Sequence, residues 1–160
     1  EAYSERLGTD APSDVDTFQR LKYSKPDEWS DLKGLYSYKG RVPEATKADF
    51  QTYKKIKATG IYGTVRVPAA KIDTSALTLD VAHINERRHG VTQEEAVSYI
   101  KNAAFSLKRR HWTGETFLNY YSEEGASYVR TSDNVIRTSF KKDEFDKKTK
   151  SAMEVLKNGK

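Results

Sequence analysis

Gly90-Val-Thr-Gln-Glu-Glu-Ala-Val-Ser-Tyr-Ile-Lys-Asn-Ala-Ala-Phe-Ser-Leu-Lys108 decides the fold, because within it the hydrophobic period changes from helical to alternating. Thr92 and Glu95 have the spacing of a capping box. The threonine hydroxyl accepts the N–H of Glu95, and the glutamate carboxylate reaches back to the N–H of Thr92. Ala96, Ile100 and Ala103, flanked by Val97 and Ala104, then form the packing face of a helix. From Phe105 onward the alternation predicts strands at Phe105–Lys108, Thr116–Ser122, Ala126–Thr131 and Val135–Phe140. Short turns rich in Gly, Asp, Asn and Glu join them into an antiparallel meander of about four strands.

On the N-terminal side, Gly90 is a left-handed stop for a short helix predicted over Asp80–His89. Ile61-Tyr-Gly-Thr-Val-Arg-Val67 alternates as a half-buried strand and ends at Pro68. Pro43–Lys57 is predicted helical, with Phe50, Tyr53 and Ile56 at three-residue spacing. Pro26-Asp-Glu-Trp-Ser-Asp-Leu32 reads as a helix start with Lys25 as a poor cap. Earlier residues are polar and sparse in apolar clusters. After the meander, Lys142–Leu156 carries Phe145, Thr149, Met153 and Leu156 at helical spacing. The expected fold class is therefore α+β: N-terminal helices, an antiparallel meander and a C-terminal helix. Residues 1–40 are expected to form a polar arm with short helices, and residues 41–160 a single domain.

The 160 residues hold 28 Lys and Arg against 23 Asp and Glu, a net charge of +5, which favours an anionic partner such as nucleic acid. Ten tyrosines, six phenylalanines and two tryptophans supply enough apolar surface for one core. With no cysteine, disulfides and thiolate metal sites are excluded. No apolar run approaches the roughly 20 residues of a membrane span. The chain starts at Glu1 without methionine, so a fragment of a longer precursor is expected.

All three histidines fall between positions 83 and 111, together with Arg87, Arg88, Lys101, Lys108, Arg109 and Arg110. Clustered guanidinium groups hold phosphates bidentately, and an imidazole both accepts and donates protons near neutral pH. RNA brings its own nucleophile, the 2'-hydroxyl, so a site needs only proton transfer and charge stabilisation. On a helix His83 and Arg87 share a face, whereas His89 points elsewhere. The His83-x5-His89 spacing does not suit a two-histidine zinc face, and no Gly-x-Ser-x-Gly, phosphate loop or dinucleotide fingerprint occurs. No metal and no cofactor are expected. In the strands, Asn119 and Tyr121 share one face; Arg137 and Ser139 are expected opposite Ile136, Thr138 and Phe140. Trp112 suits either base stacking or packing.

The ordered set His83-Ile-Asn-Glu-Arg-Arg-His-Gly-Val-Thr92, Glu94–Ala104, Asn119-Tyr-Tyr-Ser-Glu-Glu-Gly-Ala-Ser-Tyr-Val129 and Ile136-Arg-Thr-Ser-Phe140 resembles a domain found at the C-terminus of phage head-morphogenesis proteins and polymorphic toxins. That domain is assigned to the phage branch of the barnase, EndoU, colicin and RelE-like nuclease superfamily. The likeness spans about residues 60–156 and offers no counterpart for the segment around His111 and Trp112. It implies helices followed by a curved antiparallel sheet with the active site on its exposed face. It also implies metal-independent RNA cleavage that leaves a cyclic phosphate, and a dedicated immunity protein.

This resemblance implies His83 and Arg87 or Arg88 from the helix, Tyr121 and Ser122 from the second strand and Thr138 from the last; taken with the residue pattern, His83, Arg87, Tyr121 and Thr138 are the expected catalytic residues, with Arg88, His89, Ser122 and Arg137 binding substrate. The expected function is a monomeric, secreted or phage-delivered toxin endoribonuclease acting on RNA, transfer RNA included, in a target-cell cytoplasm. A non-catalytic RNA-binding or virion-associated module of the same fold is the alternative. An ADP-ribosyltransferase toxin using Arg130, Ser132 and Glu123 or Glu124 is a further one, although their order departs from that family's pattern.

Overall fold

The computed structural model describes residues 20, 23–61, 63–79 and 90–158. The chain divides between Gln51 and Thr52 into two compact units. In the first, α1 (Pro26–Arg41) has Pro26 in its opening turn, Asp27 and Glu28 at the positive end of its dipole, and no side-chain cap from Lys25. Leu32, Leu35 and Tyr38 form its buried face. The Tyr38 and Phe50 rings lie 5.7 Å apart. Gly34 permits this approach, since a Cβ there would stand 2.7 Å from the tip of Phe50.

Helix α2 spans Lys47–Ala58, starting later than Pro43. Thr46 sets the start: its hydroxyl accepts the Asp49 N–H at 3.1 Å, and the Asp49 carboxylate accepts the Thr46 N–H at 2.9 Å.

The second unit is built on six strands in the order β1-β3-β4-β5-β6-β2. Four form the antiparallel meander: β3 (Phe105–Arg110), β4 (Thr116–Tyr121), β5 (Gly125–Arg130) and β6 (Val135–Lys141). The strand predicted over 61–67 is shorter, β1 (Thr64–Arg66), and pairs antiparallel with β3. The sixth, β2 (Thr78–Leu79), pairs parallel with β6. The fold is α+β, with helices at both ends of the chain and a mostly antiparallel sheet. No helix among the described residues is long and apolar enough to cross a membrane.

One sheet face is covered by α3 (Gln93–Lys101), which begins at the capping box: Glu95 N–H reaches Thr92 Oγ1 at 3.2 Å, and Thr92 N–H reaches Glu95 Oε1 at 3.1 Å. Accepting that backbone bond holds the Glu95 carboxyl below its ordinary pKa. Ala96, Tyr99 and Ile100 pack on Tyr120, Val129 and Ile136. Ser127 donates to the Ala96 carbonyl at 2.8 Å and lies 3.0 Å from Ser139, tying helix to sheet through buried hydroxyls. Gly125 is required under Tyr99, because a Cβ would meet that ring at 2.5 Å.

The opposite face is covered along one edge by Phe145 and α4. Helix α4 spans Lys147–Asn158 and does not begin at Lys142. A 3-10 turn at Lys142–Glu144 precedes it, and Asp146 caps it by accepting the Thr149 N–H at 2.8 Å. Ile56, Val65, Phe105, Leu107, Tyr121, Ala126, Phe145 and Ala152 make this second core.

A β-bulge breaks the expected alternation in β6. Val129 pairs with Ile136 but Tyr128 pairs with Thr138, leaving Arg137 as the extra residue. Ile136 therefore packs beneath α3, while Thr138 stands on the other face with Tyr128, so the two do not share a face as strict alternation predicted.

Candidate functional site on the open sheet face

On β3, Phe105, Leu107 and Arg109 point the same way, and the register sets Phe117, Asn119 and Tyr121 of β4 beside them. Phe105 and Tyr121 are buried, their rings stacked at 5.0 Å. Toward the other end of these strands the face is open. A cavity of about 670 Å³ lies there, lined by Arg109, Phe117, Asn119, Tyr128, Arg137 and Thr138 and by the β3–β4 turn residues Arg110, His111, Trp112, Thr113 and Glu115. Three guanidinium groups and an imidazole thus face one carboxylate, a balance that attracts a phosphate.

The turn is tightly closed. His111 N–H donates to the Glu115 carbonyl at 2.7 Å and Gly114 N–H to the His111 carbonyl at 2.9 Å, with Gly114 at φ 92°. Within it His111 Nδ1 accepts the Thr113 N–H at 3.3 Å and lies 2.9 Å from Thr113 Oγ1, which in turn lies 3.2 Å from Glu115 Oε2. Arg130 Nη1 donates to Glu115 Oε1 at 3.3 Å, and Arg130 forks onto Asp133 at 3.0 and 2.9 Å. That fork raises the Arg130 pKa and lowers that of Asp133. The Phe117 ring meets His111 edge-on at 6.0 Å, and Trp112 lies 5.4 Å away. Trp112 is 89% exposed, which removes the packing role and leaves an indole open to a ligand.

Asn119 forms part of the floor. It is 3% exposed, and its Oδ1 has no hydrogen-bond partner among the described residues. Tyr128 lines the cavity and its hydroxyl lies 3.1 Å from that of Tyr121. Burial pushes both phenols up, which keeps them protonated.

Of the residues expected at a site, Arg137 and Thr138 line this cavity, and the bulge brings them there together. Tyr121 and Ser122 do not line it. Tyr121 is part of the aromatic core, and the Ser122 hydroxyl donates to the Gly125 carbonyl at 2.9 Å to close the β4–β5 turn. His83, Arg87, Arg88 and His89, like the helix predicted over Asp80–His89, lie outside the described residues. Among the described residues no three His, Asp or Glu side chains cluster as metal ligands.

Arg109, His111, Asn119 and Tyr128 were not expected to act together. Extending the β3 alternation two residues past Lys108 would have placed Arg109 in line with Phe105 and Leu107, and Thr113-Gly-Glu115 marks the turn that returns His111 to the same face. Comparison with known proteins finds no matching family model, no matching curated protein and no matching solved structure.

Proposed function

We propose that this chain is a toxin-type endoribonuclease domain that cleaves RNA by metal-independent transesterification, with the open sheet cavity as its active site. The observation that carries the reading is the convergence of His111 with Arg109, Arg110 and Arg137 on one cavity beside an exposed indole. The 2'-hydroxyl proton passes to His111 and the 2'-oxygen attacks phosphorus. The bond from phosphorus to the 5'-oxygen breaks, giving a 2',3'-cyclic phosphate and a 5'-hydroxyl. Arg109 and Arg137 hold the nonbridging oxygens, and Thr138, paired with Tyr128 across β5 and β6, adds a hydroxyl to the cavity lining. Tyr128, on the cavity wall, donates to the departing oxygen. Trp112 stacks a neighbouring base.

The resemblance adds a target-cell RNA, transfer RNA included, as substrate and an immunity protein as partner, and it assigns His83 and Arg87 to catalysis. Incubating the full chain with total RNA or transfer RNA in chelator tests the reading. Cyclic-phosphate ends are expected, and His111→Ala lowers the rate by about 10²–10⁴-fold. His83→Ala beside it divides the two histidines. Intact RNA with the wild-type chain sinks the idea.

A non-catalytic RNA-binding module is favoured by one feature: the cavity offers one imidazole, where acid and base work commonly uses two groups of matched pKa. It predicts salt-dependent RNA binding without cleavage. The ADP-ribosyltransferase reading gains no support, since the Arg130 fork is occupied by Asp133 and Glu115.

A further inference from the structure

We infer that Asn119 is the specificity-determining residue of the open cavity, its Oδ1 accepting the exocyclic amino group of an unpaired adenine or cytosine and so selecting those bases over guanine and uracil. The inference rests on the proposed reading of this cavity as an RNA site.

Asn119 lines the cavity, yet it is 3% exposed and its Oδ1 has no hydrogen-bond partner among the described residues. A buried acceptor without a donor weakens the fold, and a ligand that brings the donor recovers that loss on binding. The register partners of Asn119 leave it unmatched: the Leu107 side chain carries no polar atom, and the Tyr128 hydroxyl is engaged with that of Tyr121 at 3.1 Å. The last side-chain torsion of asparagine is broad, so the amide turns toward a group entering the cavity without leaving its rotamer.

What supplies the donor follows from the other lining groups. A phosphodiester is ionised and brings only acceptors, which Arg109, Arg110 and Arg137 answer with donors. The proton for Oδ1 comes from elsewhere in the nucleotide. With the phosphate held at the arginines and the sugar beside it, the base edge farthest from the glycosidic bond is the part that reaches the cavity floor. That edge carries an amino group in adenine and cytosine and a carbonyl oxygen in guanine and uracil. The amino group donates to Oδ1, whereas the carbonyl sets acceptor against acceptor and leaves both unpaired. Phe117 stands two residues along the same face of β4, about 7 Å away, and gives that base a ring to stack on. Stacking there requires a base that has left its pair, which restricts the site to unpaired RNA.

The test is binding of single strands about five nucleotides long to the full chain, followed by fluorescence anisotropy at fixed salt, with 2'-deoxy sugars so that no strand can be cut. The matched pairs are adenine against hypoxanthine and cytosine against uracil, each exchanging the amino group for a carbonyl oxygen. The wild type is expected to bind the amino member of each pair about tenfold more tightly. Asn119→Leu, similar in shape and without the acceptor, brings both ratios to within about twofold of unity, with thermal melting as the check that it is folded. Equal binding within both pairs by the wild type overturns the inference without recourse to any variant, and ratios that survive in Asn119→Leu overturn the role of Asn119. A wild type that cleaves RNA without this discrimination overturns the inference and leaves the proposed function standing. Discrimination by a chain that leaves RNA uncut supports the inference and removes only the catalysis.

Discussion

Two ends of one sheet face teach opposite lessons. Phe105, Tyr121, Ala126 and Phe140 stand opposite one another across four strands, and α4 and Phe145 cover them. Two residues further along the same strands come Leu107, Asn119, Tyr128 and Thr138, and two further again Arg109, Phe117 and Arg130. The strands, the register and the direction of the side chains are the same. What differs is coverage: aromatic rings that would stack a ligand at the open end are core at the covered end, and a polar group tolerated at the open end would be an uncompensated loss at the other. Alternation thus selects the face, and the covering helix selects which part of that face can meet a ligand.

The largest effect that sharpens this contrast is at the covered end. Phe105 is fully buried and stacks on Tyr121, so Phe105→Ala should cost about 3–5 kcal/mol in urea denaturation. At the open end, Arg109→Ala with Arg137→Ala should leave stability within about 0.5 kcal/mol. RNA affinity should fall about 10–100-fold, and the dependence of binding on salt should become shallower by about one phosphate contact per arginine. Binding titrations at several salt concentrations measure both. A stability loss with unchanged RNA binding would break the contrast.

The covering helix supplies an intermediate test. The Asp146 carboxyl pKa is lowered, chiefly by the Thr149 N–H it accepts at the head of α4. A carboxyl with a depressed folded pKa contributes stability that is present above its unfolded pKa of 3.8 and is lost as pH falls through the lower folded value. Asp146→Ala should therefore cost about 1 kcal/mol at pH 7. The difference from wild type should close in acid, once the native carboxyl is protonated. A gap that stays constant with pH would mean that the aspartate does not act as a charged cap.

The sequence made local devices legible and long-range ones not. The capping box at Thr92 and Glu95 and the four meander strands rest on neighbouring residues, and the structure places them as their spacing requires. Strand β2 has two residues and finds its partner β6 more than fifty positions away, so no local pattern marks it. Tyr99 packs against the sheet although the small residues around it suggested a narrower helix face. The bulge at Arg137 carries no glycine, so parity alone placed Ile136 and Thr138 together. Of the candidate site, residue chemistry singled out Arg137, and the resemblance alone singled out Thr138. His111 needed the turn geometry, and Tyr121 needed knowledge of what α4 covers.

Tyr121 gives the smallest effect and the finest division between the two ends. Its ring belongs to the core, while its hydroxyl reaches toward the open end, meeting the Tyr128 hydroxyl at 3.1 Å. Tyr121→Phe keeps the ring and removes only that bond. If the hydroxyl is structural, stability should fall by about 1 kcal/mol, the ordinary net worth of a hydrogen bond, and RNA cleavage should stay within about twofold of wild type. Tyr128 would keep its place on the cavity wall, since its own ring is held edge-on against Phe140 at 5.5 Å. If cleavage instead falls by orders of magnitude while stability holds, the catalytic part of the face reaches past Asn119 into the residues that α4 covers. The boundary between core and site would then have to be moved one register pair toward Phe105.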